Sequence, residues 1–474
     1  MTVYANIVHT VFVIMLVYFL ILAVYYIFLA LIGSIEGAGK AFEGSVADYT
    51  PLYFSAFKIP VTIIVPAHNE EEWMEDSLKA LLSLNYPEFE IIVVNDGSTD
   101  RTFSILDKIL RLKPVDTVQV KHYLDGVVND TMKSVSHPNV TVINKKAGAK
   151  KAGAVNAGLN MAKYNYVCVM DADTILERDS LIKVMAHVAR DPDRIIGIGS
   201  YFGLVNDFRV KEGVIVERNF SYNPIIAYQN LEYIRSFIGN RLAWSRYNAM
   251  PTVAGGFGVW RKDFLYEQGG YSLDFTCEDI ELTFRAHDYA AKNRKKGYRI
   301  VMLPYCVGWT EGPHNIASLI SQRARWQRVT IETMWAYRYM MCEPKYGAFA
   351  FLTMPYMLFY EVLGVFMEMA SLAFVAFGWL TGVLQFNVFI AFFALMLLLQ
   401  AFTSLLSILT FVQGQRVFRM KYIVYMIFLT LIEFFWYRWI ISIAKVRGTI
   451  DFLFRKKTFD QYARAKRAWA ETPQ

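Results

Sequence analysis

The chain has 474 residues, of which 55% are hydrophobic and 19% charged, against about 45–50% and about 25% in soluble domains. Together with a mean hydropathy of +0.27, this rules out a disordered or fibrous chain and argues against a wholly soluble one. The formal net charge of +7 suits a surface beside anionic lipid or an anionic substrate. Spread over this length, it does not indicate a nucleic-acid partner.

The first 32 residues contain no Asp, Glu, Lys or Arg, and residues 7–32 are almost continuously apolar. A helix of about 20 apolar residues spans a bilayer. A cleaved signal peptide would have a basic start and a shorter apolar core. We therefore predict a retained transmembrane helix over residues 1–33, followed by a linker over 34–58.

Short β-branched runs alternate with helical patterns from residue 59 onward. The predicted strands are Ile59–Pro66, Glu90–Asn95, Val140–Asn144, Tyr166–Met170 and Ile195–Gly199. The predicted helices are Glu70–Leu84, Lys150–Ala162 and Ser180–Ala189. This alternation predicts an α/β domain over 59–312, with a mainly parallel sheet and helices on both faces. Ligands bind such sheets at the carboxyl ends of the strands. Pro114–His137 is predicted to be a loop or a small insertion.

Two carboxylates, Asp171 and Asp173, follow the predicted strand Tyr166–Met170. At a strand end such a pair can approach a divalent cation, Mg²⁺ or Mn²⁺, whose shell a diphosphate and water complete. The alternative is that the pair caps the next helix. Asp96 also ends a predicted strand, where it can hydrogen-bond a base N–H; an Asx turn with Gly97 is the alternative there.

Four lysines, Lys145, Lys146, Lys150 and Lys151, crowd a loop that leads into a helix predicted to begin near Ala149. Lysines beside a helix N-terminus oppose the helix dipole. We therefore expect an anion such as a nucleotide diphosphate to balance them. A solvated basic surface is the alternative interpretation.

A predicted helix opens with Glu278 and Asp279. Acidic residues stabilise first turns for structural reasons alone. A site that transfers a group to a hydroxyl, however, needs a carboxylate to take the proton. Asp279 is the first candidate for this base, and Glu278 is the second.

In a further helix predicted over Ile316–Ala336, Gln322, Arg325 and Trp326 recur at three- and four-residue spacing. They therefore share one face. Arginine can bind phosphate with two parallel hydrogen bonds, and an indole ring can stack on a pyranose ring. Ordinary packing is the alternative for the tryptophan.

Apolar sequence returns at Tyr346 and persists to about Ile443. We predict spans near 350–380, 386–412 and 421–444. The predicted organisation is interfacial helices over 313–345, transmembrane helices over 346–446 and a basic tail over 447–474. Arg416–Lys421 and the tail are both basic, which indicates the cytosolic side for each. A re-entrant element over Tyr422–Ile443 and an exceptional basic segment remain open as alternatives.

The four cysteines, Cys168, Cys277, Cys306 and Cys342, show no spacing typical of a metal site. Free thiols in a reducing compartment are therefore expected, which favours a cytosolic main domain.

The motifs PAHNEE, VVNDGSTD, DAD, CED and QRARW occur in this order between Ile59 and Ala336. In these the chain resembles the membrane-embedded, processive family 2 glycosyltransferases, the group that holds cellulose, hyaluronan and poly-N-acetylglucosamine synthases. The resemblance implies a GT-A fold, a UDP-sugar donor, Mg²⁺ or Mn²⁺ and inversion at the anomeric carbon. Cys277 stands where the family usually has threonine.

The resemblance also implies roles for single residues. Asp96 would contact the uridine, Asp171 the diphosphate region, and Asp173 with Asp171 the metal. The candidate nucleotide-binding residues are together Glu70, Asp96, Lys150, Lys151 and Asp171. Asp279 would be the base, and the residues bordering the acceptor and the pyrophosphate would be Gln322, Arg325 and Trp326.

The leading hypothesis is a processive, inverting synthase of a β-linked glucose or N-acetylglucosamine polymer in the cell membrane. Its catalytic domain would be cytosolic, and it would pass the growing chain through its own multi-pass helices, with export or accessory subunits left open. A non-processive enzyme that glycosylates a lipid carrier is the alternative. A transport or assembly component with an inactive transferase domain is a third, and the intact DAD and Glu278-Asp279 carboxylates argue against it.

Overall fold

The computed structural model describes residues 2–46, 49, 58–116, 122–148, 150–383, 385–414 and 418–454. Ala149, Arg416, residues 47, 48 and 50–57 of the predicted linker and most of the predicted basic tail lie outside the described residues. The chain forms two compact units. The sheet unit comprises the described parts of Lys40–Ser221 and Asn248–Gly312. The helical unit comprises those of Met1–Gly39, Tyr222–Tyr247 and Pro313–Tyr462.

The strands are, in chain order, β1 Val61–Ala67, β2 Phe89–Asp96, β3 Leu112–Pro114, β4 Val128–Ser134, β5 Val140–Lys145, β6 Tyr166–Met170, β7 Ile175–Leu176, β8 Ile195–Leu204, β9 Arg209–Lys211, β10 Val214–Glu217, β11 Phe257–Arg261 and β12 Arg299–Thr310.

The α-helices of more than three residues are, in chain order, α1 Thr2–Val46, α2 Met74–Leu82, α3 Thr102–Leu110, α4 Lys150–Met161, α5 Ser180–Val188, α6 Pro224–Ile234, α7 Leu242–Arg246, α8 Lys262–Glu267, α9 Glu278–Lys292, α10 Ile316–Ala336, α11 Gly364–Leu380, α12 Phe386–Gly414, α13 Met420–Ile432 and α14 Tyr437–Leu453. A π-helical segment, Arg235–Arg241, joins α6 to α7.

The sheet unit is built on one mixed sheet with the strand order β3-β4-β5-β2-β1-β6-β11-β8-β12-β7. Its block β5-β2-β1-β6 is parallel throughout. Strands β1, β2 and β6 are buried almost along their whole length and rich in Val and Ile, as expected when helices cover both faces. β11 then runs antiparallel to both β6 and β8. The predicted α/β sheet is confirmed.

The segment Pro114–His137, predicted to be a loop or a small insertion, contains the strand β4. β4 pairs antiparallel with β5, and β3, which ends at Pro114, pairs with the other side of β4. The buried positions of β4 are Thr131 and Ser134. Because its inward-facing residues are polar, β4 lacks the apolar alternation that reveals a half-buried strand.

The parallel strands place the polar motifs on one edge of the sheet. β1 pairs in parallel with β2 and with β6, so their carboxyl ends lie together. The loops that follow β1 and β2 are tied to each other: Thr99 donates its N–H to Asn69 Oδ1 at 2.8 Å, and Glu70 donates its N–H to Thr102 Oγ1 at 2.8 Å. Hydrogen bonds between these segments therefore connect the two loops at this edge of the sheet.

The helical unit contains the apolar segments. Asn6–Lys40 and Phe393–Gln413 are each long and apolar enough to cross a membrane, and the described residues hold up to four spans if two bent helix pairs also count. One pair bends by 50° between Val362 and Gly364, and the other by 58° between Phe435 and Tyr437. The second bend falls inside the predicted span 421–444, where a broken span and a re-entrant element are both compatible with it.

Two predicted boundaries differ from the structure. The first helix continues to Val46, through much of the predicted linker. Tyr222–Tyr247, predicted as part of the 59–312 domain, belongs to the helical unit. Its residues 226–231 are all buried, so local sequence cannot tell whether a sheet or other helices cover them.

Several charged residues within the apolar helices form ion pairs. A charge at membrane depth is costly unless it faces a partner. The pairs are Lys445 with Glu361 (2.9 Å), Arg235 with Glu433 through two contacts of 2.9 Å, and Arg438 with Glu368. Glu361 and Glu368 lie on opposite sides of the 50° bend, while their partners Lys445 and Arg438 lie on one helix, α14.

Candidate active site

Three segments that are distant in sequence meet at the carboxyl edge of the sheet. Asp171 follows β6, Lys151 lies in the first turn of α4, and Glu278 and Asp279 begin α9. Gly255, in the loop before β11, lies between them: a Cβ at this position would be 3.1 Å from Lys151 Nζ and 3.5 Å from Asp279 Oδ2. Asp171, Glu278 and Asp279 of the predicted acidic motifs are therefore brought together in one cluster.

Lys151 links the two acidic motifs. Its Nζ lies 2.5 Å from Asp171 Oδ1 and 2.9 Å from Glu278 Oε1. Burial disfavours the ammonium charge, yet the two carboxylates together hold the pKa of Lys151 well above its ordinary value. The cluster thus contains one firmly protonated cation between two acids.

Asp279 is oriented by hydrogen bonds from two main-chain N–H groups and one thiol. Its Oδ2 accepts from the Gly255 N–H at 3.0 Å, and its Oδ1 accepts from the Ile280 N–H at 2.7 Å and from the Cys277 thiol at 3.1 Å. Burial, followed by repulsion from Glu278, raises the pKa of Asp279. A carboxylate whose pKa is raised is a stronger base once ionised.

Asp173 lies deeper than Asp171. It is 6% exposed, and its Oδ1 accepts a hydrogen bond from Thr310 Oγ1 at 3.1 Å. In the described part of the chain no three His, Cys, Asp or Glu side chains form a closed metal site. Mg²⁺ bound with a substrate phosphate needs only one or two carboxylates, so the role of Asp171 and Asp173 as ligands of a divalent cation stays a prediction.

Asp96 forms a buried ion pair. Lys145 is 1% exposed, and its Nζ donates to Asp96 Oδ1. The parallel register of β2 and β5 sets these two residues opposite each other. Two of the four loop lysines, Lys145 and Lys151, are thus balanced by carboxylates of the chain itself, which differs from the expectation that a bound anion balances them.

The remaining nucleotide-binding candidates are near the same edge. Lys150 Nζ donates to the carbonyl oxygens of Leu273 at 2.9 Å and Phe275 at 3.4 Å, which holds the segment preceding Cys277. Glu70 lies on the loop after β1 that is tied to the loop after β2. Contact of either residue with a nucleotide stays a prediction.

The three QRARW candidates lie in the helical unit, on α10, whose bounds match the predicted Ile316–Ala336. Gln322 is buried, Arg325 is half-buried, and Trp326 is 38% exposed. Their contact with an acceptor or pyrophosphate stays a prediction.

Sequence reasoning missed Gly255. The available signal was the pair Gly255-Gly256 directly before a strand, which indicates a close approach of other groups to the backbone. What approaches could not be read locally, because Lys151 and Asp279 come from other parts of the chain.

The mixed sheet, the acidic strand end and the flanking apolar helices define a GT-A glycosyltransferase domain joined to membrane-type helices. Two family profiles match the chain: Glycosyl transferase family 2 over residues 62–249 and Glycosyl transferase family group 2 over residues 166–441. The second profile covers more than half of the chain. The chain therefore belongs to the family 2 glycosyltransferases.

Several curated relatives share one name. The chain is 28% identical over 267 residues to the poly-β-1,6-N-acetyl-D-glucosamine synthase of Staphylococcus aureus strain COL, covering 56% of this chain and 53% of that protein. The same figures hold for the synthase of that name from Staphylococcus epidermidis. The chain therefore spans about half the length of the curated relatives it matches.

The fold is also shared with a solved structure. This is the mannosyltransferase PcManGT from Pyrobaculum calidifontis in complex with GDP-Man and Mn²⁺. The TM-score is 0.54 at 18% identity, and the match covers 90% of this chain and 100% of that one. At this identity the likeness concerns the fold alone.

Proposed function

We propose that this chain polymerises a β-linked polysaccharide from a UDP-sugar, with N-acetylglucosamine as the sugar and inversion at the anomeric carbon. The observation that carries the proposal is the meeting of Asp171, Lys151, Glu278 and Asp279 around Gly255. The sugar is taken from the curated name of the staphylococcal relatives.

The donor would bind at the end of β6. Asp171 and Asp173 would hold Mg²⁺ or Mn²⁺ together with the diphosphate, and the cation would offset the negative charge of the departing nucleotide. Lys151 adds a positive charge from the protein at the same place. Asp96 would lie toward the uridine, its own charge already balanced by Lys145.

The acceptor would be activated by Asp279. Its carboxylate takes the proton from the acceptor hydroxyl, whose oxygen attacks the anomeric carbon from the face opposite the diphosphate. The bond between that carbon and the diphosphate oxygen breaks with its electron pair on the departing UDP, and the configuration inverts. The N–H groups of Gly255 and Ile280 donate hydrogen bonds that hold the carboxylate in place. Neither N–H group transfers its proton to the carboxylate.

The apolar helices would place this reaction at a membrane, with the sheet unit on the cytosolic side. The helices Asn6–Lys40 and Phe393–Gln413 support the membrane assignment. The cytosolic side is supported by the basic segment Arg416–Lys421 of the sequence and by the free thiols of the four cysteines. The same helices would carry the growing chain across the bilayer.

The test is to incubate membranes containing the chain with labelled UDP-N-acetylglucosamine or UDP-glucose and to measure product length. The proposal expects a long polymer from UDP-N-acetylglucosamine that a β-1,6-specific hexosaminidase digests. A single labelled sugar on lipid would support the lipid-carrier enzyme instead. Failure to release UDP from any donor would support the inactive component.

A further inference from the structure

Arg323, the second residue of QRARW, contacts two other residues of the motif. Its Nη1 donates to Gln322 Oε1 at 2.7 Å, and the centre of its guanidinium lies 4.1 Å from the Trp326 ring. Its Nη2 donates to Glu232 Oε2 at 2.5 Å. One side chain therefore contacts an amide, an indole and a carboxylate.

These contacts are shielded from solvent. The side chain of Arg323 is 7% exposed and that of Glu232 is 23% exposed. Glu232 belongs to α6, so the ion pair also joins α6 to α10. A buried guanidinium with a carboxylate partner is held in one geometry, because leaving either charge alone would be costly.

The contact with Gln322 has a chemical consequence. The amide oxygen of Gln322 is occupied by a charged donor, so the amide nitrogen is the end left for other partners. Gln322 is therefore oriented as a hydrogen-bond donor. The stacking contact similarly restrains Trp326, which keeps more than a third of its surface exposed.

We propose that Arg323, anchored by Glu232, is a positioning residue for acceptor binding: it holds Gln322 as a donor and Trp326 as a stacking platform for the terminal sugar. This inference rests on the proposed function, in which Gln322 and Trp326 border the acceptor. Arg323 need not touch the substrate itself.

The first test is Arg323→Lys. Lysine keeps the charge near Glu232, but it lacks the planar fork that reaches Gln322 and Glu232 together and stacks on Trp326. We expect the KM for a short β-linked N-acetylglucosamine acceptor to rise about tenfold or more. UDP release without acceptor should stay within about twofold of wild type.

Two further variants distinguish a positioning role of Arg323 from a loss of folding. Glu232→Gln removes the anchoring charge but keeps the side-chain shape, so the acceptor KM should rise less than in Arg323→Lys. Arg438→Lys is the matched control, because it weakens another arginine–glutamate pair of the helical unit, with Glu368. We expect the control to lower the melting temperature without raising the acceptor KM.

The outcomes separate the inference from the function it rests on. A wild-type chain that makes no polymer contradicts the proposed function. If wild type polymerises but the acceptor KM of Arg323→Lys and Glu232→Gln equals that of wild type, the inference is wrong. It is also wrong if acceptor-dependent transfer and UDP release fall in parallel, because that is the behaviour of a merely structural pair.

Discussion

Lys151 Nζ lies 2.5 Å from Asp171 Oδ1, which joins the first turn of α4 to the end of β6. The same ammonium group contacts Glu278 at the start of α9. A single half-buried cation thus holds together acidic groups that are more than a hundred residues apart in the chain. Without it, their like charges would repel across the site.

Lys151→Met should therefore weaken donor binding. The anionic diphosphate would meet two carboxylates without their cation, so the donor KM should rise about tenfold or more. Steady-state UDP release at varied donor concentration measures this. Lys146→Met, which removes an exposed lysine from the loop before α4, should leave the donor KM near that of wild type; an equal rise in both variants would contradict the role of Lys151.

The pH dependence should report the pKa of Asp279. A base must be ionised, and burial together with Glu278 raises the pKa of this carboxyl. Activity should therefore fall on the acid side at a higher pH than for an ordinary aspartate. The Cys277 thiol donates to the ionised carboxylate and opposes the rise.

Cys277→Ala should move the acid limb of the kcat/KM profile to still higher pH, because it removes this hydrogen bond. Cys277→Thr supplies a hydroxyl donor at the same position and should move the limb back. The measurement is kcat/KM across the acid range for the three proteins. Superimposable acid limbs for wild type and Cys277→Ala would show that the thiol does not tune the base.

Lys145→Met should destabilise the sheet unit. It leaves the Asp96 carboxylate, 9% exposed, without its buried partner, at a cost of about 3 kcal/mol or more in the free energy of unfolding. Thermal unfolding in detergent measures the loss. The double variant Lys145→Met with Asp96→Asn should recover part of the lost stability, since no unpaired charge remains. A double variant less stable than Lys145→Met alone would contradict this explanation.

Gly448→Ala should displace the QRARW helix. A Cβ at Gly448 would lie 2.3 Å from the carbonyl oxygen of Ala324, and backbone atoms cannot yield as a side chain can. The expected cost is about 1–3 kcal/mol, with a lower rate of polymer synthesis. Gly39→Ala is the control, because a Cβ there meets nothing within 4 Å; comparable melting temperatures for the two variants would contradict the close approach.

Much of the sheet was predictable, because its strongest elements carry local signals. Tyr166–Met170 is a short apolar run followed directly by polar residues, and both of its predicted ends match the structure. Helix Ile316–Ala336 matches as well. β4 escaped prediction because its buried residues are polar, and the exact partners of its pairing depend on the register with β5.

The sequence predicted which acidic residues form the site, but not the contacts between them. The motifs indicated Asp171 and Asp279, yet no local pattern shows that Lys151 bridges Asp171 to Glu278. The pairing of Asp96 with Lys145 likewise depends on the parallel register of two strands. Contacts between distant segments follow from tertiary packing, which a single sequence does not display.

Polymer synthesis by Asp279→Asn tests the role of Asp279 as the base most directly. Asparagine preserves the size of the side chain but cannot take a proton from the acceptor hydroxyl. With labelled UDP-N-acetylglucosamine, we expect polymer formation to be lost while the affinity for UDP stays close to that of wild type. Undiminished polymer synthesis by Asp279→Asn would contradict the assignment of Asp279 as the base.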